Sequence, residues 1–231
     1  MQFVVQAQIP ASVPVLGRTE VFPVHRIYCV GRNYVEHAKE MGHSGREAPF
    51  FFMKPADAVL PVPHGAVGAL PYPSMTCDLQ HEIELVVAIG VGGSAIATDD
   101  AMRHVWGYAV GLDMTRRDLQ GEAKQQGRPW DTGKGFDFAA PIGPITPAAQ
   151  AGAIGHAGIT LAVNGELRQH STTDELIWSV AEIIEHLSRY FALLPGDLIF
   201  TGTPAGVAAV KQGDLLEGTI DGLAALRVKI V

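Results

Sequence analysis

The sequence predicts an α+β fold: a mixed, largely antiparallel sheet structure with few, short helices. Two turn dipeptides carry most of this expectation. Asn164-Gly165 and Asp221-Gly222 sit between alternating flanks in TLAVNGELRQ and GTIDGLAALRVKIV, and such turns join antiparallel neighbours. Composition agrees. Glycine (26) and proline (15) are abundant among the 231 residues and only 18% are charged, which suits a turn-rich fold better than a helical bundle or a disordered chain.

In chain order, residues 1–21 are expected to form an N-terminal extension to a single domain over residues 22–231. In GRNYVEHAKEMG, Asn33 can cap a short helix, with Glu36 three positions on and Gly42 past its end. Pro55 to Pro73 reads as loop and short edge strands, because proline removes ladder donors. In LQHEIELVVAIG (79–90), Ile83, Leu85, Val87 and Ile89 alternate with their neighbours as in a strand. VWGYAVGLDMTRRDLQ (105–120) opens as an apolar strand, ends at Asp113 and feeds a helix from about Thr115 to Gln126. Pro141 to Gly158 is again loop-like. Ser179 begins the clearest helix, since SVAE is a capping box and Val180, Ile183, Ile184, Leu187 and Phe191 share a face. Pro195 and Gly196 stop it.

A net charge of −7 and a pI near 5.7, with no Lys/Arg cluster, argue against a nucleic-acid partner. Cys29 and Cys77 form no disulfide framework, which favours a reducing compartment. The first residues lack the pattern of a signal peptide, and no apolar run reaches the roughly 18 residues of a membrane helix. The expected setting is cytoplasmic, without a membrane partner. Gly90, Gly92 and Ala95, with Asp113 about 20 residues on, match a dinucleotide fingerprint. The match is weak, because a strand carrying Glu82 and Glu84 is unlike the apolar first strand of that fold and the hairpins disagree with a parallel sheet. A dinucleotide-dependent oxidoreductase therefore stands as a remote alternative, and the glycines read as the turn that ends the strand.

The polar half-face of the 79–90 strand is the informative oddity. Glu82 and Glu84 project the same way, roughly 7 Å apart along the strand. Such a pair can be solvated, can pair with buried cations, or can bind a hard divalent cation. Asp113, at the end of the next apolar strand, can supply a third carboxylate or serve as a helix N-cap. His37 and Glu40 lie at i and i+3 on the first helix, the arrangement of a general-base dyad or of surface decoration. Lys54 follows four apolar residues and Lys134 lies in GKGF. Either can be a surface lysine, but a lysine among apolar neighbours suits an anionic ligand.

The ordered set IYCVGRNYVEHAKEMG, PFFFMKPADAV, LQHEIEL, YAVGLDMTRRDLQ, PWDTGKGFD, VNGELRQ and GDLIFTGTPAGV resembles the short members of the fumarylacetoacetate hydrolase family. The resemblance implies the mixed β-roll of that family's C-terminal domain, and Mg²⁺ or Mn²⁺ held by Glu82, Glu84 and Asp113. It implies a water-activating dyad of His37 and Glu40, a catalytic Lys134, and substrate contacts from Arg32, Asn33, Lys54, Arg117, Gln120 and Thr203. Residues 41–50 are expected to form a lid. The implied activity is hydrolysis of a C–C bond in an acylpyruvate, a 2-oxo acid, with fumarylpyruvate giving fumarate and pyruvate. Oxaloacetate decarboxylation and isomerisation of an unsaturated oxo-diacid are the alternatives within the family. A homodimer is also implied.

Overall fold

The computed structural model describes residues 3–36 and 47–231. Its main sheet is ordered Phe50–Lys54, Ile27–Gly31, Leu198–Phe200, Ile83–Ile89, Val105–Leu112, Ala140–Ile142 and Val59–Pro61, with Thr146–Pro147 added beside Val105–Leu112. Leu198–Phe200 runs parallel to Ile27–Gly31, and Ala140–Ile142 runs parallel to Val59–Pro61. The other pairings in this sheet are antiparallel. A second sheet is ordered Glu166–Thr172, Gly158–Val163, Leu215–Ile220, Leu226–Ile230 and Gly68–Leu70. The expected mixed, largely antiparallel architecture is therefore what forms, and the Pro55–Pro73 stretch supplies the edge strands Val59–Pro61 and Gly68–Leu70.

The predicted hairpin at Asn164-Gly165 forms with positive φ at both residues, 52° and 81°, as a two-residue turn of matching twist requires. At Asp221-Gly222 the turn is longer. Residues 221–225 separate the paired strands, and the Asp221 carboxylate accepts a hydrogen bond from Gly158 N–H at 3.0 Å. A side chain committed across the sheet draws the turn away from the tight form.

Ile83–Ile89 is buried along its whole length, because both of its faces are covered. Ile83, Leu85, Val87 and Ile89 enter a core shared with Ile159, Leu161 and Leu216 of the second sheet. Val86 and Ala88 enter a smaller cluster with Phe200, Ile142, Val13 and Phe22. Each fully buried side chain of this kind contributes about 1.5–3 kcal/mol. Ser12–Pro14 pairs with Val21–Pro23, so part of the segment expected as an extension is a hairpin built into this second core.

Val180–Tyr190 forms the expected helix with a complete capping box between Ser179 and Glu182, and it buries Ile183, Ile184 and Leu187. The helix predicted from Thr115 begins instead at Arg117, since Thr115–Arg116 pairs with Leu79–His81. The helix that Asn33 is expected to cap extends beyond the described residues, and the Asn33 side chain reaches other elements. Its amide donates to Trp178 O (2.9 Å) and Thr201 O (2.8 Å) and accepts from Trp178 N–H (2.8 Å). The Gly90–Ala95 segment follows a strand that is antiparallel to both neighbours, which is incompatible with a dinucleotide-binding crossover. Among the described residues no helix is long and apolar enough to cross a membrane.

Candidate metal centre and cavity

Strand register assembles the acidic cluster. Ile83 faces Leu112 and Glu84 faces Gly111, and Asp113 N–H donates to Glu82 O at 2.8 Å just beyond them. Glu82, Glu84 and Asp113 thereby present carboxylate oxygens that all lie within 4.8 Å of one another, all three residues buried. Asp113 does not serve as the N-cap considered from sequence, a position held by Arg116.

Among the described residues, three cations surround the cluster. Lys134 Nζ lies 2.8 Å from Glu82 Oε2 and 2.8 Å from Asp113 Oδ2. Lys54 Nζ lies 2.7 Å from Asp113 Oδ1 and donates to Met114 O (3.1 Å) and Lys134 O (2.5 Å). Arg117 pairs with Glu82 and also donates to Gln80 Oε1 (2.7 Å) and Gln120 Oε1 (2.6 Å). Glu84 instead accepts from Gly202 N–H at 2.8 Å. That contact depends on glycine, because Gly202 has φ +103° and a Cβ there would stand 2.7 Å from the Asn33 Cβ. Gly133 is needed in a different way: a Cβ would meet the Gln120 backbone N at 2.8 Å, so its absence lets the Asp131–Lys134 turn press Lys134 toward the cluster.

Burial, and then the charges of Asp113 and Glu82, push the Glu84 carboxyl well above its ordinary value. Burial lowers Lys134, but Asp113 and Glu82 outweigh it and hold the ammonium above its ordinary value. Lys134 is therefore a proton-bearing donor in this setting. Three buried carboxylates of which one is forced toward protonation are the donor set that a hard dication satisfies, and Mg²⁺ and Mn²⁺ favour such oxygen ligands.

The cluster forms the floor of a cavity of about 450 Å³ whose wall includes Arg32, Arg117, Gln120, Lys134 and Thr203. Arg32 has φ 57° and lies over the Phe50 ring at 5.2 Å. Lys54 is placed behind Asp113 and outside this wall, and Asn33 ties the 31–34 turn to residues 178 and 201. Neither of these two expected substrate contacts is among the residues that line the cavity. His37 and Glu40, and residues 41–46 of the expected lid, lie outside the described residues.

Sequence reasoning missed Lys124, Gln125, Trp130, Phe50 and Phe52, which also line the cavity. Lys124 had a readable signal: it follows Gln120 by four positions and Arg117 by seven, one helix face. The aromatic side chains had none, because strand and turn aromatics are ordinarily core.

The fumarylacetoacetate (FAA) hydrolase C-terminal family model matches residues 26–231, and the chain belongs to the fumarylacetoacetate hydrolase family. Within that family it is similar to the fumarylpyruvate hydrolase of Pseudomonas aeruginosa, whose crystal structure contains Mn²⁺ and pyruvate. The two are 56% identical with a TM-score of 0.98, over 100% of this chain and 99% of that one. A fumarylpyruvate hydrolase from a Ralstonia species is 45% identical over 80% of this chain and 93% of its own. The mitochondrial oxaloacetate tautomerase FAHD1 of Rattus norvegicus is 42% identical over 88% of this chain and 90% of its own.

Proposed function

We propose that the protein hydrolyses the C–C bond of an acylpyruvate, with fumarylpyruvate and water giving fumarate and pyruvate. One observation carries this reading: a buried carboxylate triad and a lysine kept cationic share the floor of a cavity walled by Arg32, Arg117 and Lys124. Such a floor suits charge developing on oxygen, and such a wall suits an anionic substrate. Glu82, Glu84 and Asp113 would hold Mg²⁺ or Mn²⁺, and the structure of the Pseudomonas relative is a complex with Mn²⁺ and pyruvate. When bound, that ion supplies Lewis-acid stabilisation of developing oxygen charge, typically several kcal/mol.

The chain's own residues divide the remaining work. Cleavage leaves the electron pair on the pyruvate fragment as an enolate, a poor leaving group unless its oxygen is neutralised. Lys134 has two N–H groups committed to Glu82 and Asp113 and a third left to donate toward that oxygen. Kept cationic by Glu82 and Asp113, Lys134 serves in this reading as a donor and not as the base that activates water. That role falls to His37, oriented by Glu40. Arg117 fixes Glu82 and Gln120 together, and Lys124, farther along the same helix face, lies where it can meet a carboxylate at the distal end of the acyl group.

A second reading is keto–enol interconversion of oxaloacetate, favoured by the similarity to the rat tautomerase. It uses the same enolate stabilisation but adds no water. A comparison of kcat/KM over fumarylpyruvate, acetylpyruvate and both tautomers of oxaloacetate decides between them. Hydrolysis is expected to dominate and to vanish in His37→Ala; tautomerisation exceeding hydrolysis in the wild type selects the second reading. Activity that survives complete chelation refutes both.

A further inference from the structure

Gln169 reaches the site from the far sheet. It is fully buried on the Glu166–Thr172 edge strand, yet its carboxamide spans the gap to the metal-centre strand and to the turn after Phe200. Oε1 accepts from Ile83 N–H at 3.1 Å, and Ile83 is the residue between Glu82 and Glu84. Nε2 donates to Pro204 O at 2.8 Å and to Thr203 Oγ1 at 2.8 Å. A backbone N–H can only donate and a carbonyl can only accept, so these two partners give the amide one orientation. The direction then propagates. His81 Nδ1, 2.9 Å from Oε1, must carry its proton, and Thr203 Oγ1 must act as acceptor toward Gln169.

A hydroxyl has a single proton, and Thr203 does not spend it on Gln169. Thr203 is buried and lines the cavity, whereas Gln169 is not part of the cavity wall. We propose that Gln169 is a positioning residue that makes Thr203 a one-way donor. By filling an acceptor site of Thr203 Oγ1, it leaves the O–H to donate to an anionic oxygen of the bound 2-oxo acid. The inference rests on the acylpyruvate reading for the chemistry of the ligand. It gives the VNGELRQ hairpin a part in substrate binding beyond its turn.

The test is calorimetric titration of pyruvate into Mn²⁺-loaded protein for the wild type, Gln169→Met, Thr203→Val, the double variant and Thr203→Ser. A charge-assisted hydrogen bond is at stake, so each of the first two single variants is expected to weaken pyruvate binding by about tenfold or more. The double variant should bind no worse than Thr203→Val, and Thr203→Ser should bind as the wild type does. A residue that merely ties two sheets together would instead give losses that add in the double variant, and that result overturns the proposal. So does a Gln169→Met protein that binds normally. If Gln169→Met fails to fold, the threonine pair still decides, because undiminished binding by Thr203→Val overturns the proposal alone. A wild type that binds no pyruvate overturns both the proposal and the acylpyruvate reading beneath it.

Discussion

Metal uptake by this protein is expected to expel a proton, and Glu84 is its source. Lys54, Lys134 and Arg117 pair with Asp113 and Glu82, whereas Glu84 accepts a backbone hydrogen bond and is 2% exposed. Its carboxyl is held well above the ordinary 4.5 by burial and by Asp113 and Glu82. The metal-free protein therefore keeps that proton at pH values where an ordinary carboxylate has lost it, while a dication requires the anion. One proton exchanged per ion makes the apparent Kd for Mn²⁺ fall about tenfold per pH unit, or about 1.4 kcal/mol, between 4.5 and the raised value. Stability has a fixed sign in the same window. The native state holds a proton that the unfolded state has lost, so the contribution of Glu84 to the stability of the metal-free protein is largest below the unfolded value. That contribution is lost as pH rises through the folded one, and Mn²⁺ should abolish the loss. Calorimetric titration in two buffers of different ionisation enthalpy counts the protons directly. Glu84→Gln should bind Mn²⁺ more weakly and with far less pH dependence in that window. Buffer-independent heats together with a Kd that is flat across the window would refute the reasoning.

Lys54→Met should cost about 3–5 kcal/mol in denaturant unfolding, because it strands a buried Asp113 oxygen and the Met114 and Lys134 carbonyls; a loss below about 1 kcal/mol removes the buttress role. Lys124→Gln should lower kcat/KM for fumarylpyruvate a few-fold relative to acetylpyruvate, and less so at high salt, since the contact is solvent-exposed. An equal effect on both substrates places the distal carboxylate elsewhere. Ser179→Ala should lower stability by about 0.5–2 kcal/mol through loss of the capping box, with kcat/KM unchanged, as read by thermal unfolding and steady-state assay.

Much of this site was legible because its parts obey short-range rules. Glu82 and Glu84 stand out since a period-two pattern leaves two carboxylates where apolar residues belong, and Asp113 follows because antiparallel register aligns adjacent strand ends. Lys54 and Asn33 were harder to place, because a buried lysine or asparagine serves ligand or frame according to partners distant in sequence: residues 113, 114 and 134 for one, 178 and 201 for the other. Gln169 is the extreme case. Its meaning lies in contacts to Ile83 and Thr203, separations of 86 and 34 residues, which no local pattern encodes.

The cations packed about the acidic cluster also set an electrical order of events. With Glu84 ionised, Lys54, Lys134 and Arg117 balance Glu82, Glu84 and Asp113, three charges against three. A divalent ion would carry this inner shell to +2, and the proposed substrate, with two carboxylates, would return it to neutrality. A loaded pocket would thus attract dianions, and the metal proposed to assist bond cleavage would also charge the trap.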